Sequence, residues 1–317
     1  MVKVKLGERV YACAKEQSWA SYLTAIATLT LFICWVPLLI VLTFLAILGN
    51  LYARIVLVVL FLTVLLPAQP LNWQRFLKSW VLSTWRDYFS FSYLLESHEP
   101  EKDYIFAEFP HGCFPMGPLV GASYVHEIWP GHRIFGLAAS GLFYVPFYRH
   151  FFSWIGCRPA TKDNLCRLAK KGSVAIIVGG IAEMFMIKKH EEQILLKGRF
   201  GFVKAAVETG IDIVPVYYFG NSQILNFGPE FLAPLSRKLR LSIGWIYGVL
   251  GLPIPRKVEL FMVVGRIVKV GSPIAKGAPG YEAQVAKVHA DVVAELHRMY
   301  DANKTKYGWS SRPLQIK

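Results

Sequence analysis

From Gln17 to Ala53 the chain carries no charged side chain, and beyond Arg54 the run Ile55 to Gln74 is again uncharged. One membrane span needs ~20 consecutive apolar residues. The apolar block from Ala20 to Leu66 therefore suffices for two tight spans, or for a hairpin embedded from one side. Gly49-Asn50 is the natural turn. The second arm is short and Pro37 interrupts the first, which keeps the re-entrant form open. The block is far too long for the apolar region of a secretory signal and lacks a clear cleavage site.

Lys3, Lys5, Arg9 and Lys15 precede the block, Arg75, Lys78 and Arg86 follow it, and Arg54 alone sits at the turn. The positive-inside rule puts both termini in the cytosol. The remainder of the 317 residues suffices for one large domain or two small ones. A mean hydropathy of +0.38 is high for a soluble enzyme. A net charge of +14 suits an anionic membrane or a phosphate-bearing ligand. Nucleic acid is set aside as a partner, because the hydrophobicity points to lipid, and neither a zinc finger nor a basic heptad region is present. The cysteines (Cys13, Cys34, Cys113, Cys157 and Cys166) are odd in number and scattered, with no C-x-x-C pair. That argues for reduced thiols and a main domain facing the cytosol.

In "LNWQRFLKSWVLSTWRDYFSFSYLL" the residues Trp73, Leu77, Trp80, Thr84, Tyr88 and Phe91 recur at helical spacing with basic residues between them. Such a stripe is either a core face or a helix lying in the membrane interface. From Glu101 onward strands and helices alternate. Candidate strands are Tyr104–Ala107, Ile134–Ala138, Ser173–Val178, Ile211–Phe219 and Glu259–Val264. Candidate helices are Lys162–Lys171, Phe200–Thr209, stopped by Gly210, and Glu282–Lys306. Short apolar strands separated by helices argue an α/β fold with a mainly parallel sheet covered by helices. The segment "LSIGWIYGVLGLPIP" is apolar but too short to span, and reads as core or as a second membrane contact.

"AEFPHGCFPMG" places His111 just past a strand, between Pro110 and Gly112. Ligands of open parallel sheets bind beyond the carboxyl ends of strands, so a histidine there is well placed as a general base. The competing reading is a structural loop histidine. There is no G-x-S-x-G elbow, no H-E-x-x-H, no P-loop and no G-x-G-x-x-G after a strand. The run His190-Glu191-Glu192 lacks a second histidine at metal spacing and reads as a solvated charged turn.

Four blocks follow in order. They are P-H-G at Pro110, His111 and Gly112, and G-G-x-x-E at Gly179, Gly180 and Glu183. Then come R-x-G-F-V at Arg199, Gly201, Phe202 and Val203, and V-P-V…F-G at Val214, Pro215, Val216, Phe219 and Gly220. In this joint order they resemble the glycerolipid acyltransferase superfamily. Within it the chain is similar to the type-2 diacylglycerol acyltransferase family, which also contains monoacylglycerol and wax-ester acyltransferases. The segments "VVGRIVKV" and "ANKTKYG" extend the resemblance over roughly residues 20–310. Two departures stand out. Phe109 replaces the His or Glu found before P-H-G in many members, and Met116 replaces the Asp of the superfamily's H-x-x-x-x-D. The carboxylate that orients His111 is then expected from Glu108 or Glu183.

The resemblance implies an α/β, glycerolipid acyltransferase-like fold preceded by an N-terminal transmembrane or re-entrant helical hairpin. It divides the chain into a cytosolic N-terminal segment (1–19), a membrane hairpin (20–68), an interfacial aromatic helix region (69–100) and a cytosolic acyltransferase domain (101–317). The implied reaction moves a fatty acyl group from acyl-CoA to the free hydroxyl of diacylglycerol, forming triacylglycerol. His111 would be the base, with Glu183 and Gly112 beside it, and Pro110, Gly179 and Gly180 framing the oxyanion site. Lys197, Arg199, Gly201, Lys204, Arg158 and Lys162 would meet the CoA phosphates. Cys113 offers a rival route through an acyl-cysteine. No metal or cofactor is called for, since acyl-CoA is a substrate. The acceptor is expected to be a neutral glyceride, because "GGIAEMF" has no arginine for an acceptor phosphate. A monoacylglycerol or long-chain alcohol acceptor, and a non-catalytic scaffold on membranes or lipid droplets, are the alternatives. Placement in the endoplasmic reticulum membrane or on lipid droplets follows, and a homo-oligomer is compatible with it.

Overall fold

The computed structural model describes residues 6–68, 72–97, 102–239 and 242–317. Lys3, Lys5, Leu71, Glu101 and Leu241 lie outside the described residues. The apolar block folds as three helices: α1 (Trp19–Ile33), α2 (Trp35–Ile47) and α3 (Leu51–Val64). Pro37 has no N–H to give the carbonyl of Ile33, and the chain bends by 61° between α1 and α2. The Asn50 side chain caps α3 by accepting the Ala53 N–H at 2.9 Å. Arg54, the lone charge, donates from Nε to the Ala46 carbonyl at the end of α2, 2.9 Å away.

The three helices meet different surroundings. Ser21, Ala25, Leu29 and Phe32 bury one face of α1, while α2 buries no residue and α3 buries only Ala53. Ile40, Phe44, Ile47, Tyr52, Leu62 and Leu65 stand exposed around this pair. Among the described residues no single helix is long and apolar enough to cross a membrane, although α1 and α2 together pass on length and composition. The 13 residues of α2 rise about 20 Å, short of the ~30 Å hydrocarbon core.

The aromatic stripe is not one helix. It divides into α4 (Gln74–Leu77) and α5 (Trp80–Tyr88), with the Ser79 hydroxyl capping the second. Leu77, Thr84, Tyr88 and Phe91 are buried, whereas Trp73 and Trp80 are exposed. The buried positions of α5 pack on α1; Trp85 Nε1 donates to Thr28 Oγ1 at 2.8 Å, and the Phe32 ring meets Trp85 at a tilt of 59°.

Among the described residues there are twelve strands in chain order: β1 (Arg9–Tyr11), β2 (Ser92–Leu95), β3 (Ile105–Phe109), β4 (Ile134–Ala138), β5 (Cys157–Pro159), β6 (Ser173–Ile177), β7 (Glu192–Ile194), β8 (Ile213–Phe219), β9 (Asn226–Gly228), β10 (Trp245–Tyr247), β11 (Phe261–Val264) and β12 (Leu314–Ile316). Eight form one sheet in the order β1-β2-β11-β8-β3-β6-β4-β5. The β8-β3-β6-β4-β5 run is parallel throughout, and only the β1·β2 and β11·β8 pairs are antiparallel. The sheet draws strands from both sides of the apolar block, so residues 9–11 lie on the same side of any membrane as the domain that carries β3. β9 and β10 pair antiparallel; Trp245 and, beyond the strand, Leu250 are exposed while Ile246 packs against the core, so that apolar stretch is core only in part.

One sheet face is closed. Ile105, Ala107 and Phe109 point into a dry cluster built with the helices Gly201–Thr209 and Tyr281–Lys304. The other face is open in its middle. The register aligns Val214, Phe106, Ala175, Gly136 and Cys157 in one row across it. Ala175 and Gly136 are too small to fill the space above them, and a cavity of about 1180 Å³ occupies that face.

The expectation of a solvated charged turn at 190–192 is overturned for Glu192. That residue is buried in β7, where Arg312 Nε donates to it at 2.8 Å, Ser222 Oγ at 2.7 Å and Tyr217 OH at 3.1 Å. A buried carboxyl is tolerated there because both of its oxygens meet donors and Arg312 supplies a cation. His190 alone keeps the predicted exposure.

Candidate active site

β3 delivers Pro110, His111 and Gly112 to the carboxyl edge of the sheet, beside the ends of β6 and β8. Two side chains from those neighbours hold the turn. Glu183 Oε1 accepts the N–H groups of His111 at 2.5 Å and Gly112 at 3.3 Å, and its Oε2 accepts from the Leu195 N–H at 3.1 Å. Asn221 Nδ2 donates to the carbonyls of Pro110 at 3.1 Å and His111 at 3.2 Å, while its Oδ1 accepts from the Gly117 N–H at 2.9 Å. One side chain thus satisfies the donors of the turn and the other its acceptors.

The glycines make that grip possible. Gly112 has φ +62°, and a Cβ there would come within 2.8 Å of Asn221 Nδ2. Gly179 has φ +108°, and a Cβ would sit 2.2 Å from Glu183 Oε2.

The imidazole lines the cavity. Its Nδ1 lies 3.0 Å from the Gly112 carbonyl oxygen. A carbonyl only accepts, so Nδ1 carries the proton and Nε2 keeps its lone pair. Among the described residues Nε2 has no hydrogen-bond partner. Burial pushes the imidazole pKa below its ordinary value, with the Gly112 bond acting weakly the other way. His111 is therefore neutral and basic at Nε2 near neutral pH.

The carboxylate expected to orient this ring is not there. Met116 is buried at the start of α6 (Met116–Ala122), and Phe109 points into the core on the opposite sheet face. The Gly112 carbonyl does the orienting. Glu183 acts on the main chain of His111, and Glu108 takes a hydrogen bond from Tyr218 instead. Burial raises Glu183 to about 7, against the three N–H bonds that favour its charge. Cys113 is buried and its thiol is pushed far above its ordinary value, so a nucleophilic thiolate is disfavoured.

The remaining expected residues fall into two groups. Gly180 lines the cavity, and Arg199 Nη2 donates to the Gly179 carbonyl at 3.2 Å, so these join the His111 turn. Lys197 and Gly201 are exposed around the start of the helix Gly201–Thr209. Lys204 faces Glu282 at 3.9 Å, Lys162 pairs with Glu208 at 2.7 Å, and Arg158 donates to the Ala68 carbonyl. Asn221 and Tyr218 are site residues that motif reading missed. The signal for Asn221 was its place just past β8, the same kind of strand end that marked His111.

This assembly coincides with known sequences. The family model described as diacylglycerol acyltransferase matches residues 38–317. The chain belongs to the diacylglycerol acyltransferase family. As a diacylglycerol acyltransferase family member it is an O-acyltransferase. It is 31% identical to the diacylglycerol O-acyltransferase 2-like protein 6 of Bos taurus over 245 residues, covering 68% of this chain and 71% of that one. The diacylglycerol O-acyltransferase 2 of Dictyostelium discoideum is 29% identical over 69% of this chain and 72% of its own. A solved 1-acyl-sn-glycerophosphate acyltransferase from Thermotoga maritima superposes with a TM-score of 0.42 at 13% identity, over 88% of this chain and 96% of that one. That likeness is too slight to carry an argument.

Proposed function

We propose that this chain transfers a fatty acyl group from acyl-CoA to the free hydroxyl of diacylglycerol, forming triacylglycerol, with His111 as the general base. The observation that carries this reading is the neutral imidazole, its Nε2 unoccupied, on the wall of a large apolar cavity. Its volume exceeds the ~300–1,000 Å³ of ordinary ligand pockets, which suits substrates with several acyl chains.

His111 Nε2 takes the hydroxyl proton as the acceptor oxygen attacks the thioester carbon. The tetrahedral intermediate collapses with cleavage of the carbon–sulfur bond, and the imidazolium returns its proton to the departing CoA thiolate. Since Gly112 N–H is directed at Glu183, the Gly179–Gly180 turn is the candidate source of oxyanion donors. Arg199, at that turn, is our choice for a CoA phosphate, with Lys197 beside it. Cavity-lining Ile181 and Met184 favour a neutral acceptor over a phosphorylated one.

The α2–α3 hairpin, apolar on its exposed faces apart from Arg54 near the turn, is read as dipping into one leaflet of the endoplasmic reticulum or a lipid droplet. Val36 of α2 lines the cavity, so a lipid acceptor could enter sideways from that leaflet. Both termini then face the cytosol.

The test is acyl-CoA-dependent lipid synthesis in microsomes from yeast unable to make triacylglycerol. Wild type and His111→Ala are assayed with diacylglycerol, monoacylglycerol, a long-chain alcohol, lysophosphatidate and glycerol 3-phosphate. Triacylglycerol from wild type alone is expected. Preference for a phosphorylated acceptor, or equal turnover by the variant, defeats the reading.

A further inference from the structure

Glu108 is a carboxyl group in the wall of an apolar cavity, and the chemistry above does not use it. It stands on the cavity face of β3, in register with Val216 and Ile177 on either side. No Lys or Arg is bonded to it among the described residues. Its one hydrogen-bond partner there is Tyr218, whose hydroxyl donates to Oε1 at 2.8 Å. Oε2 has none.

The pairing is built rather than incidental. Tyr218 projects from β8 across α6, and Gly117 and Gly121 of that helix make room for its ring. A Cβ on Gly117 would come within 2.8 Å of the ring, and one on Gly121 within 2.7 Å of the hydroxyl. Across the sheet, Cys157 reaches over Gly136 toward the same space. Its thiol is raised by burial first and by the nearby Glu108 second, to about 12. Tyr218 is likewise raised by burial, so neither neighbour supplies charge to Glu108. His111, His126, His132, Lys78 and Arg133 are the other nitrogen-bearing titratable groups in this cavity wall. None of them bonds Glu108.

A carboxyl so placed is pushed up to about 7 by burial, with the Tyr218 bond opposing. Entry of an uncharged lipid excludes water further and favours the protonated form. A neutral carboxylic acid whose Oε1 already accepts from a tyrosine has one hydroxyl hydrogen left to donate, from Oε2. The acceptor's reacting hydroxyl is ill suited to this group, because its oxygen is the nucleophile and a hydrogen bond accepted there would hold back the lone pair that attacks the thioester. What a diacylglycerol still offers, and an apolar wall cannot satisfy, is an ester carbonyl.

Resting on the reaction proposed above, we infer that Glu108, set by Tyr218, donates a hydrogen bond to an ester carbonyl of the glyceride acceptor and so makes the cavity selective for esters over ethers. Glu108 is a recognition residue in this account. It orients the glyceride and leaves proton transfer to His111.

The test compares 1,2-dioleoylglycerol with its dialkyl ether analogue, which keeps the hydroxyl and the chains but has no carbonyl. Both are assayed as acceptors, and both are measured by displacement of a fluorescent fatty-acyl probe from the purified full chain. Wild type should favour the diester by about tenfold in KM and in displacement, the worth of one hydrogen bond. Glu108→Gln, which still donates, should keep the preference. Glu108→Leu should raise the diester value to that of the ether while the KM for acyl-CoA holds. A general packing defect would weaken both lipids and leave their ratio unchanged. Equal values for the two lipids in wild type, or an undiminished preference in Glu108→Leu, overturns the inference. Displacement is read without turnover, so it decides this point even if the chain makes no triacylglycerol, an outcome that would count against the proposed reaction instead.

Discussion

The carboxylate of Glu183 accepts the main-chain N–H of His111 at 2.5 Å and makes no bond to its imidazole ring. With Asn221 gripping the carbonyls of Pro110 and His111, the turn is held entirely through its backbone. Position and chemistry are therefore separable at this site: the backbone places the ring, and the ring does the work.

His111→Ala should for that reason abolish acyl transfer without loosening the fold. Loss of a general base costs about 10²–10⁴ in rate. The thermal midpoint should stay close to wild type, since no bond that holds the turn involves the ring except the one to Gly112. Activity and melting curves on the same preparation check this, and a large fall in the midpoint would mean that the ring is structural.

Glu183→Gln should do the opposite, damaging position while sparing the base. The amide turns donor hydrogens toward a site where three N–H groups already converge. Each buried N–H left unsatisfied costs about 1–3 kcal/mol. The melting midpoint should drop by several degrees and activity should drop with it. A variant that melts like wild type but is inactive would instead give Glu183 a chemical role.

The pH dependence of kcat/KM should show an acid limb below the ordinary imidazole value of 6.5, because burial lowers His111. The active form is neutral, so the rate climbs as pH rises through that lowered value and levels off before neutrality. A limb centred above 6.5 would contradict a buried histidine base.

Much of this site was legible because it rests on local rules. Ile134–Ala138 is a short apolar run that forms a strand, Gly210 ends its helix in the left-handed conformation, and His111 was marked by its place after a strand. What stayed hidden depends on partners distant in sequence. Tyr218 meets Glu108 across 110 positions, and Arg312 meets Glu192 across 120. Nothing near Glu192 announces that a cation will arrive from the C-terminal segment, so a charged run was the natural reading. The division of the stripe Trp73–Phe91 was also hidden, because helical spacing does not reveal the Ser79 cap that restarts the helix.

Stability should carry the mark of the raised carboxyls. Glu108 sits at about 7 in the folded chain against an ordinary 4.5, so the folded state binds more protons than the unfolded state between those values. Its contribution is most favourable below pH 4.5 and is lost as pH rises to about 7. Glu183 acts in the same sense, and the lowered His111 in the opposite one. The difference between Glu108→Gln and wild type isolates one group. The variant's melting midpoint should gain on wild type from pH 5 to pH 7; a constant difference would mean that Glu108 is ionised in the folded chain throughout that range.

Arg312 ties the C-terminal strand to the back of the site. It donates to Glu192, and its Nη2 reaches the Lys188 carbonyl at 2.9 Å, while Ser222 and Tyr217 complete the shell around the carboxylate. Ser222 follows Asn221 directly, so the pair is coupled through one peptide to the residue that clamps the His111 carbonyl. Arg312→Met should leave the buried Glu192 carboxyl without its cation, a loss of about 3–5 kcal/mol. Removing the charge as well, in Glu192→Gln with Arg312→Met, should recover much of that, because the penalty comes from the orphaned carboxylate rather than from a missing attraction. The single variant should also lose activity out of proportion to its folded fraction at low temperature, since the strain falls beside Asn221. Urea melts of both variants decide the matter. If the double variant is no more stable than the single one, the arginine contributes by packing on Trp309 and pairing with the main chain, and the charge of Glu192 is not what it answers.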